Sequence, residues 1–191
     1  CGLNKDQFTI NVSNRKIVQG LINELKISEE KQIKVIRAID KLDKPGFGLK
    51  GVEDLLKKER KDQSGAITKG ADLTDQQAAQ ILNFLKIKDL KKLKQTLNNQ
   101  LSQEGISELE NVFEILGYGS NLNQVKTNFT IVRGLAYYSD FIVETNLNFK
   151  VKNNKGKEVD IGSICSGGAY AKLISRFRGV DIPGTGISFG V

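Results

Sequence analysis

The chain predicts an α+β fold in which part of an antiparallel sheet with flanking helices is interrupted by an all-helical insertion domain. Three observations carry this: a lone half-buried strand pattern near the start, helical periodicity through the middle, and β-branched, aromatic-rich, period-two segments in the last third. The boundaries read as 1–25 for a first strand–helix segment, 26–103 for the helical insertion and 104–191 for a second, sheet-forming segment.

From Gln7 to Val12 polar and apolar residues alternate, which predicts a strand with Phe8, Ile10 and Val12 on one face. Asn14 is the N-cap expected for a helix to about Leu25, with Ile17, Leu21, Ile22 and Leu25 as its apolar stripe. Ser28 opens a helix to about Leu42; Lys31 denies it a full capping box, although Glu29 and Glu30 suit the positive end of the helix dipole. Lys44-Pro45-Gly46 ends that helix, and Leu49 to about Arg60 follows as an amphipathic helix with Val52, Leu55 and Leu56 inward. Turns at Gln63-Ser64-Gly65 and Lys69-Gly70 precede Thr74, the cap expected for a helix from Asp75 to Leu85. Leu90 to Asn98 and Ser107 to Leu116 read as two more helices.

The character changes after Gly117-Tyr118-Gly119. Strands are predicted over Lys126 to Val132, Tyr137 to Phe149 and Gly186 to Val191. Asn153-Asn154-Lys155-Gly156 is hairpin-turn chemistry between Phe149-Lys150-Val151 and Val159-Asp160-Ile161. One short helix, from about Ala169 to Phe177, interrupts this sheet region.

Composition narrows the chemistry. With 39% hydrophobic and 27% charged residues over 191 positions, the chain can bury a core and is not intrinsically disordered as a whole. Its apolar runs are too short to cross a bilayer and no basic-then-apolar leader opens it, so it reads as soluble with no membrane partner, and its two distant cysteines suit a reducing, cytoplasmic compartment. No histidine is present, which excludes Ser-His-Asp, Cys-His and His-metal mechanisms within the chain and leaves Lys, Arg, Tyr and carboxylates. Cys1 and Cys165 support neither a zinc site nor a disulfide framework, and Cys165 reads as a small buried hydrophobe. The net charge of +7 makes polyanions reasonable partners, and much of the excess sits in KIKDLKKLK, Lys86 to Lys94. That segment reads either as a solvated helix face or as a nucleic-acid footprint.

Both ends read as those of an excised piece. Position 1 is not Met, and GTGISFGV, Gly184 to Val191, reads as a buried strand that stops without a turn or polar tail. Cys1-Gly2 alternatively fits a lipid-carrying processed terminus, which would make the chain an extracytoplasmic binding module.

Two constellations can carry chemistry. Val132-Arg133-Gly134-Leu135-Ala136-Tyr137-Tyr138 joins a permanently charged guanidinium, a glycine that admits close backbone approach and two phenols. Such a group suits a bound anion beside a planar ring, and equally an Arg stacked on Tyr at a sheet edge. Ser163-Ile164-Cys165-Ser166-Gly167-Gly168-Ala169-Tyr170 reads as a strand passing through paired glycines into a helix, whose first N–H groups can hold an anion, or as plain turn geometry.

In order, QFTINVSNRKIVQGLI, RAIDKLDKPGFGLKGVEDLLKKERKDQSGAITKGADL, IVRGLAYYSDFIVE, ICSGGAYAKLISRF and IPGTGISFGV make the chain resemble the histidyl-tRNA synthetases along nearly its whole length. The resemblance implies a segment of the class II antiparallel sheet, with 26–103 as the insertion domain that clamps the acceptor arm of tRNA(His). It implies an ATP-dependent ligase that activates histidine to histidyl-adenylate and transfers it to tRNA(His). Arg133 is then the signature arginine on the α-phosphate and the catalytic residue; Gly134, Tyr137 and Tyr138 belong to the histidine and adenylate pocket, and Gly167, Gly168 and Tyr170 form its floor. Glu144 matches the carboxylate after the double-Tyr strand. Ala136, Ala169 and Ala171 depart from the acidic, Arg and Asp residues common there.

ATP with Mg2+ is, on this resemblance, a substrate of the full-length family, whose members are homodimers, and none is expected to bind this chain alone. The first two class II motifs, the arginine of the third and an anticodon-binding domain are missing from the sequence, so the segment by itself is expected to be inactive. A catalytically silent paralogue that regulates histidine biosynthesis is the alternative.

Overall fold

A computed structural model describes residues 2–44, 46–61, 67–117, 122–133, 138–159, 161–170, 173, 175, 177, 179–180 and 182–190. β1 (Phe8–Asn14) runs directly into α1 (Arg15–Glu24). The Asn14 side chain accepts the Lys16 N–H at 3.0 Å, so one residue ends the strand and caps the helix. The first turn of α1 contains no acid and starts with Arg15 and Lys16, at the end where the helix dipole disfavours cations.

α2 (Glu29–Ile39) begins with Glu29 and Glu30 after Ser28, whose side chain makes no capping bond. α3 (Gly48–Lys57) stops short of the predicted Arg60. Glu59–Lys61 (β2) and Ile67–Lys69 (β3) pair instead as an antiparallel hairpin, with Arg60 opposite Thr68. The expectation of an all-helical block is therefore corrected, and Lys69 is strand rather than turn. Arg60 explains why no local pattern announces the hairpin: its guanidinium lies 4.2 Å from the centre of the Phe47 ring and donates to the Gly46 carbonyl at 2.5 Å. Tertiary packing, not period-two hydrophobicity, holds these charged residues extended. Pro45 and Gln63-Ser64-Gly65 lie outside the described residues.

α4 (Asp75–Leu85) has the predicted bounds and a complete capping box between Thr74 and Gln77. α5 (Leu90–Thr96) is capped by Asp89, which accepts the Lys92 N–H at 2.8 Å. α6 (Gln100–Gly117) starts well before the predicted Ser107. Its polar first turn is secured by hydrogen bonds rather than by an apolar stripe. Asn99 Oδ1 accepts the Ser102 N–H at 2.8 Å, and the buried Ser102 hydroxyl donates to the Ile17 carbonyl of α1 at 2.9 Å.

After a 3₁₀ turn (Leu122–Gln124) come β4 (Val125–Thr127), β5 (Phe141–Leu147), β6 (Val151–Lys152), β7 (Glu158–Val159), β8 (Ser163–Ala169) and β9 (Thr185–Phe189). β4 is shorter than the predicted strand because Asn128 Oδ1 accepts both the N–H and the hydroxyl of Thr130 and turns the chain. β5 likewise starts at Phe141 instead of Tyr137. β6 and β7 form the expected hairpin, Val151 opposite Val159, closed by Gly156 at φ +74°.

The main sheet has the order β4-β1-β5-β8-β9. Its neighbours are antiparallel except β1 and β4, which are parallel. Two further expectations need correction. The last strand is an exposed edge, Ile187 being 53% and Phe189 64% exposed, rather than a buried one. Ala169 closes β8, so the predicted helix does not begin there; of that helix only Leu173, Ser175 and Phe177 are described, in helical conformation. One continuous apolar core runs from Val12, Ile17 and Ile22 through Ile36, Leu56, Ile81 and Leu93 to Leu109 and Val132. It joins the sheet-side helices to α2–α5 without a break.

Candidate functional site

Arg133 leaves the turn after β4 with φ +46°, in the left-handed region that an L-residue occupies only when its surroundings hold it there. Its side chain crosses to the sheet. Nε lies 2.6 Å from Glu144 Oε1 on β5, and an Nη donates to Ser163 Oγ at 3.1 Å on β8. The Nε–H is buried and not aimed along the line to Glu144, so the pair is an ion contact without an aligned hydrogen bond. Burial pushes the Glu144 carboxyl above the usual carboxylate range, the Arg133 charge opposes that shift, and Asp40 and Asp43 add to it.

These groups line a cavity of about 370 Å³ together with Asp40, Asp43 and Lys44 from the end of α2, and Asn128, Thr130 and Asn146. The strand register makes this possible: Glu144 pairs with Ser166, and a bulge after Thr145 brings Asn146 opposite Ser163. Arg133 and Lys44 are the cations of a cavity whose lining also carries Asp40, Asp43 and Glu144.

The expected aromatic and glycine groups assemble beside it. Tyr138 and Tyr170 meet edge to face, ring centres 6.3 Å apart at 76°. Gly168 is packed so closely that a Cβ there would stand 2.3 Å from the Phe141 carbonyl oxygen and 3.1 Å from the Tyr138 ring. A Cβ on Gly186 of β9 would fall 1.7 Å from the Tyr170 hydroxyl. Gly167 and Gly168 are corrected in one respect: they lie inside β8, between β5 and β9, and not at a helix start. Backbone donors of a helix N-terminus are thus not what they offer; Gly168 lets the Tyr138 ring approach the sheet, and Gly167 lets β9 pack against β8.

Arg133 and Tyr138 line different cavities. Tyr138 belongs to one of about 530 Å³ with Arg15, Lys16, Gln19, Ser139 and Asp140. Gly134, Ala136 and Tyr137, which join the two, lie outside the described residues, as does Ala171.

Arg15 is the residue that sequence reasoning missed. Its guanidinium donates from one Nη to the Val132 and Arg133 carbonyls, at 2.5 and 2.7 Å, while its own N–H bonds the Asp140 carbonyl at 2.8 Å. Burial pulls its pKa down, against the field of Asp40. Lys16 pairs with Glu108 and, at 3.2 Å, with Asp140; the Glu108 hydrogen bond leads the causes that raise its pKa. Two cations in an acid-free first helical turn were the signal available in the sequence.

Cys165 is free and buried, as expected. In Lys86 to Lys94 the leucine and isoleucine side chains turn inward, while Lys86, Lys88, Lys91 and Lys92 are exposed and, among the described residues, form no ion pair; Lys94 pairs with Glu110 at 2.8 Å. No described helix is long and apolar enough to cross a membrane. Among the described residues no cluster of three or more His, Cys, Asp or Glu is arranged to hold a metal ion.

An α+β sheet that carries an arginine paired with a carboxylate between two strands, and a pair of tyrosines packed over close-set glycines, is the arrangement compared with known proteins. The family model described as histidyl-tRNA synthetase matches residues 1–191. The chain is 77% identical over 191 residues to the histidine–tRNA ligase of Pelagibacter ubique (strain HTCC1062), covering all of this chain and 41% of that protein. The solved histidyl-tRNA synthetase of Nostoc sp. PCC 7120 is 32% identical with a TM-score of 0.75, over 98% of this chain and 41% of that one. A structure titled an ATP phosphoribosyltransferase regulatory subunit/histidyl-tRNA synthetase, from Bacillus halodurans C, shares the fold at a TM-score of 0.68 and 16% identity, over 95% of this chain and 41% of its own. The chain belongs to the histidyl-tRNA synthetase family, a family of aminoacyl-tRNA ligases, and spans about two fifths of the length of these relatives.

Proposed function

We propose that the chain is a catalytic-region segment of a class II, cytoplasmic histidine–tRNA ligase and supplies part of the adenylate site. In the first step the histidine carboxylate attacks the α-phosphorus of ATP and pyrophosphate leaves; in the second the tRNA(His) terminal hydroxyl attacks the adenylate carbonyl and AMP leaves. Arg133 stabilises the charge that grows on the α-phosphate oxygens during the first step. Gly134, Tyr137, Tyr138, Gly167, Gly168 and Tyr170 surround the histidine side chain, the phenols bonding its imidazole and the glycines letting it lie against the sheet. Mg2+ enters as part of the nucleotide substrate.

The observation that carries this reading is Arg133, fixed over a cavity by Glu144 and Ser163 in a chain that matches the family throughout. Residues 26–103 form the insertion that contacts the acceptor arm, with Lys86, Lys88, Lys91 and Lys92 as phosphate contacts that carry no base specificity. The complete enzyme acts as a homodimer, and residues 1–191 alone are inactive.

Histidine-dependent ATP–pyrophosphate exchange tests the assignment. The full-length reading frame is expected to catalyse it, Arg133→Ala to lower kcat by 100-fold or more, and residues 1–191 to give none. Exchange by the isolated segment, or full activity of Arg133→Ala, rejects the corresponding claim.

The departures at Ala136, Ala169 and Ala171 favour a second reading, a silent paralogue that regulates histidine biosynthesis. Absence of exchange in the full-length protein, together with activation of an ATP phosphoribosyltransferase, would establish it.

A further inference from the structure

We infer that Arg15 is a positioning residue for Arg133, so that the start of α1 sets the catalytic arginine's place in the site. This rests on the reading of Arg133 proposed above. One Nη of Arg15 binds two successive carbonyls, those of Val132 and Arg133, at 2.5 and 2.7 Å. Arg133 is one of three described non-glycine residues with positive φ, at +46°. A left-handed L-residue relaxes unless its flanking peptide groups are held, and these two carbonyls are the groups that fix its orientation. Arg15 is in turn tied down, because its own N–H bonds the Asp140 carbonyl at the entrance to β5 and Asn14, just before it, caps α1. The guanidinium thus transmits the register of β1 and β5 to the backbone from which the Arg133 side chain departs.

The position is costly by local rules. A cation at the first residue of a helix opposes the dipole, and no acid in that turn offsets it. Burial also works against the guanidinium charge, with only the field of Asp40 in its favour. Arginine at position 15 disfavours both the helix and its own burial, and what it gains is the pair of carbonyls beneath Arg133. Among its polar partners in the fold, Asp40 at the end of α2 also lines the Arg133 cavity, so the same carboxylate acts on both arginines' surroundings.

A double-mutant cycle in the full-length protein tests this, with pyrophosphate exchange as the readout. Arg15→Met is expected to lower kcat about 10- to 100-fold with the KM values for histidine and ATP within about twofold, since a small misplacement of a charge-stabilising group affects the transition state first. In an Arg133→Ala background the same change is expected to alter kcat by less than about twofold, because there is no guanidinium left to misplace. Arg15→Lys, which keeps a charged donor and serves if Arg15→Met does not fold, is expected to fall between wild type and Arg15→Met and to show the same loss of effect in the double mutant. A raised KM for histidine or ATP with kcat unchanged would mean that Arg15 touches substrate directly. An equal fold-loss with and without Arg133 would mean a purely structural role; either result overturns the inference. If Arg133→Ala alone leaves kcat unchanged, it is the catalytic assignment of Arg133 that fails, not the link between the two arginines.

Discussion

Glu144 shows how much one half-buried carboxylate controls. Its side chain is 16% exposed, and burial raises its pKa despite Arg133 at 2.6 Å. A folded-state pKa above the unfolded one means the native protein holds that proton more tightly, so the stability it contributes is present below the carboxylate range and lost as pH rises through the raised value. Glu144→Gln should therefore flatten the decline in stability on the alkaline side of that range, measured as urea midpoints of wild type and variant over a pH series. Parallel slopes would refute the assignment. The same substitution removes the counter-charge of Arg133, and we expect inorganic pyrophosphate to bind the variant more tightly than wild type by equilibrium dialysis. At this scale the sequence singled out Arg133, Tyr138 and the paired glycines as candidates by residue type alone, and the structure places Arg133 against Glu144 and Gly168 against the Tyr138 ring. The sequence did not make Ser163 or Arg15 visible as partners, since what selects them is a strand register and a two-carbonyl contact across more than a hundred residues.

Helix α1 meets α6 through a glycine. A Cβ on Gly20 would stand 2.2 Å from Asn99 Oδ1 and 2.3 Å from Ser102 Oγ, the two groups that cap α6 and tie it to Ile17. Gly20→Ala should cost about 1–3 kcal/mol by overpacking, and Asn99→Ala about 1 kcal/mol by loss of the cap alone, both read from denaturant midpoints. If Gly20→Ala is neutral, the crossing is looser than these distances imply. Further along, reversing the charge of Lys86, Lys88 and Lys91 together should weaken tRNA aminoacylation more than pyrophosphate exchange and reduce its salt dependence. Elements with a cap and an apolar stripe, such as Asp75–Leu85, were legible to the residue. Those built on charge and contact were not: the Glu59–Lys61 hairpin strand has no alternation to read, and the first turn of α6 is polar because its bonds go sideways to α1.

For the molecule as a whole, the apolar core is shared by the sheet-side helices and by α2–α5, so a deep deletion in either part should be felt by both. Leu56→Ala in α3 is expected to lower stability by about 2–5 kcal/mol and to do so in a single cooperative transition by circular dichroism. Two separate transitions would show that 26–103 folds independently of the sheet. The α+β class and the order of its parts were readable because period and composition change along the chain. The sheet order was not, because β1 finds both partners late in the sequence and nothing in its seven residues names them.

That arrangement of β1 governs the timing of birth. Its neighbours are β5, ending at Leu147, and β4, at Val125–Thr127, so Phe8 waits for a partner 139 positions downstream. At roughly 5 to 20 residues per second on the ribosome, the strand spends on the order of ten seconds with both edges open. In that interval the helices α2–α5, whose contacts are local, are already outside the exit tunnel. Until Leu147 emerges the nascent chain carries β1 without its β5 partner, beside helices whose core it shares, and those seconds are when a chaperone has most to protect.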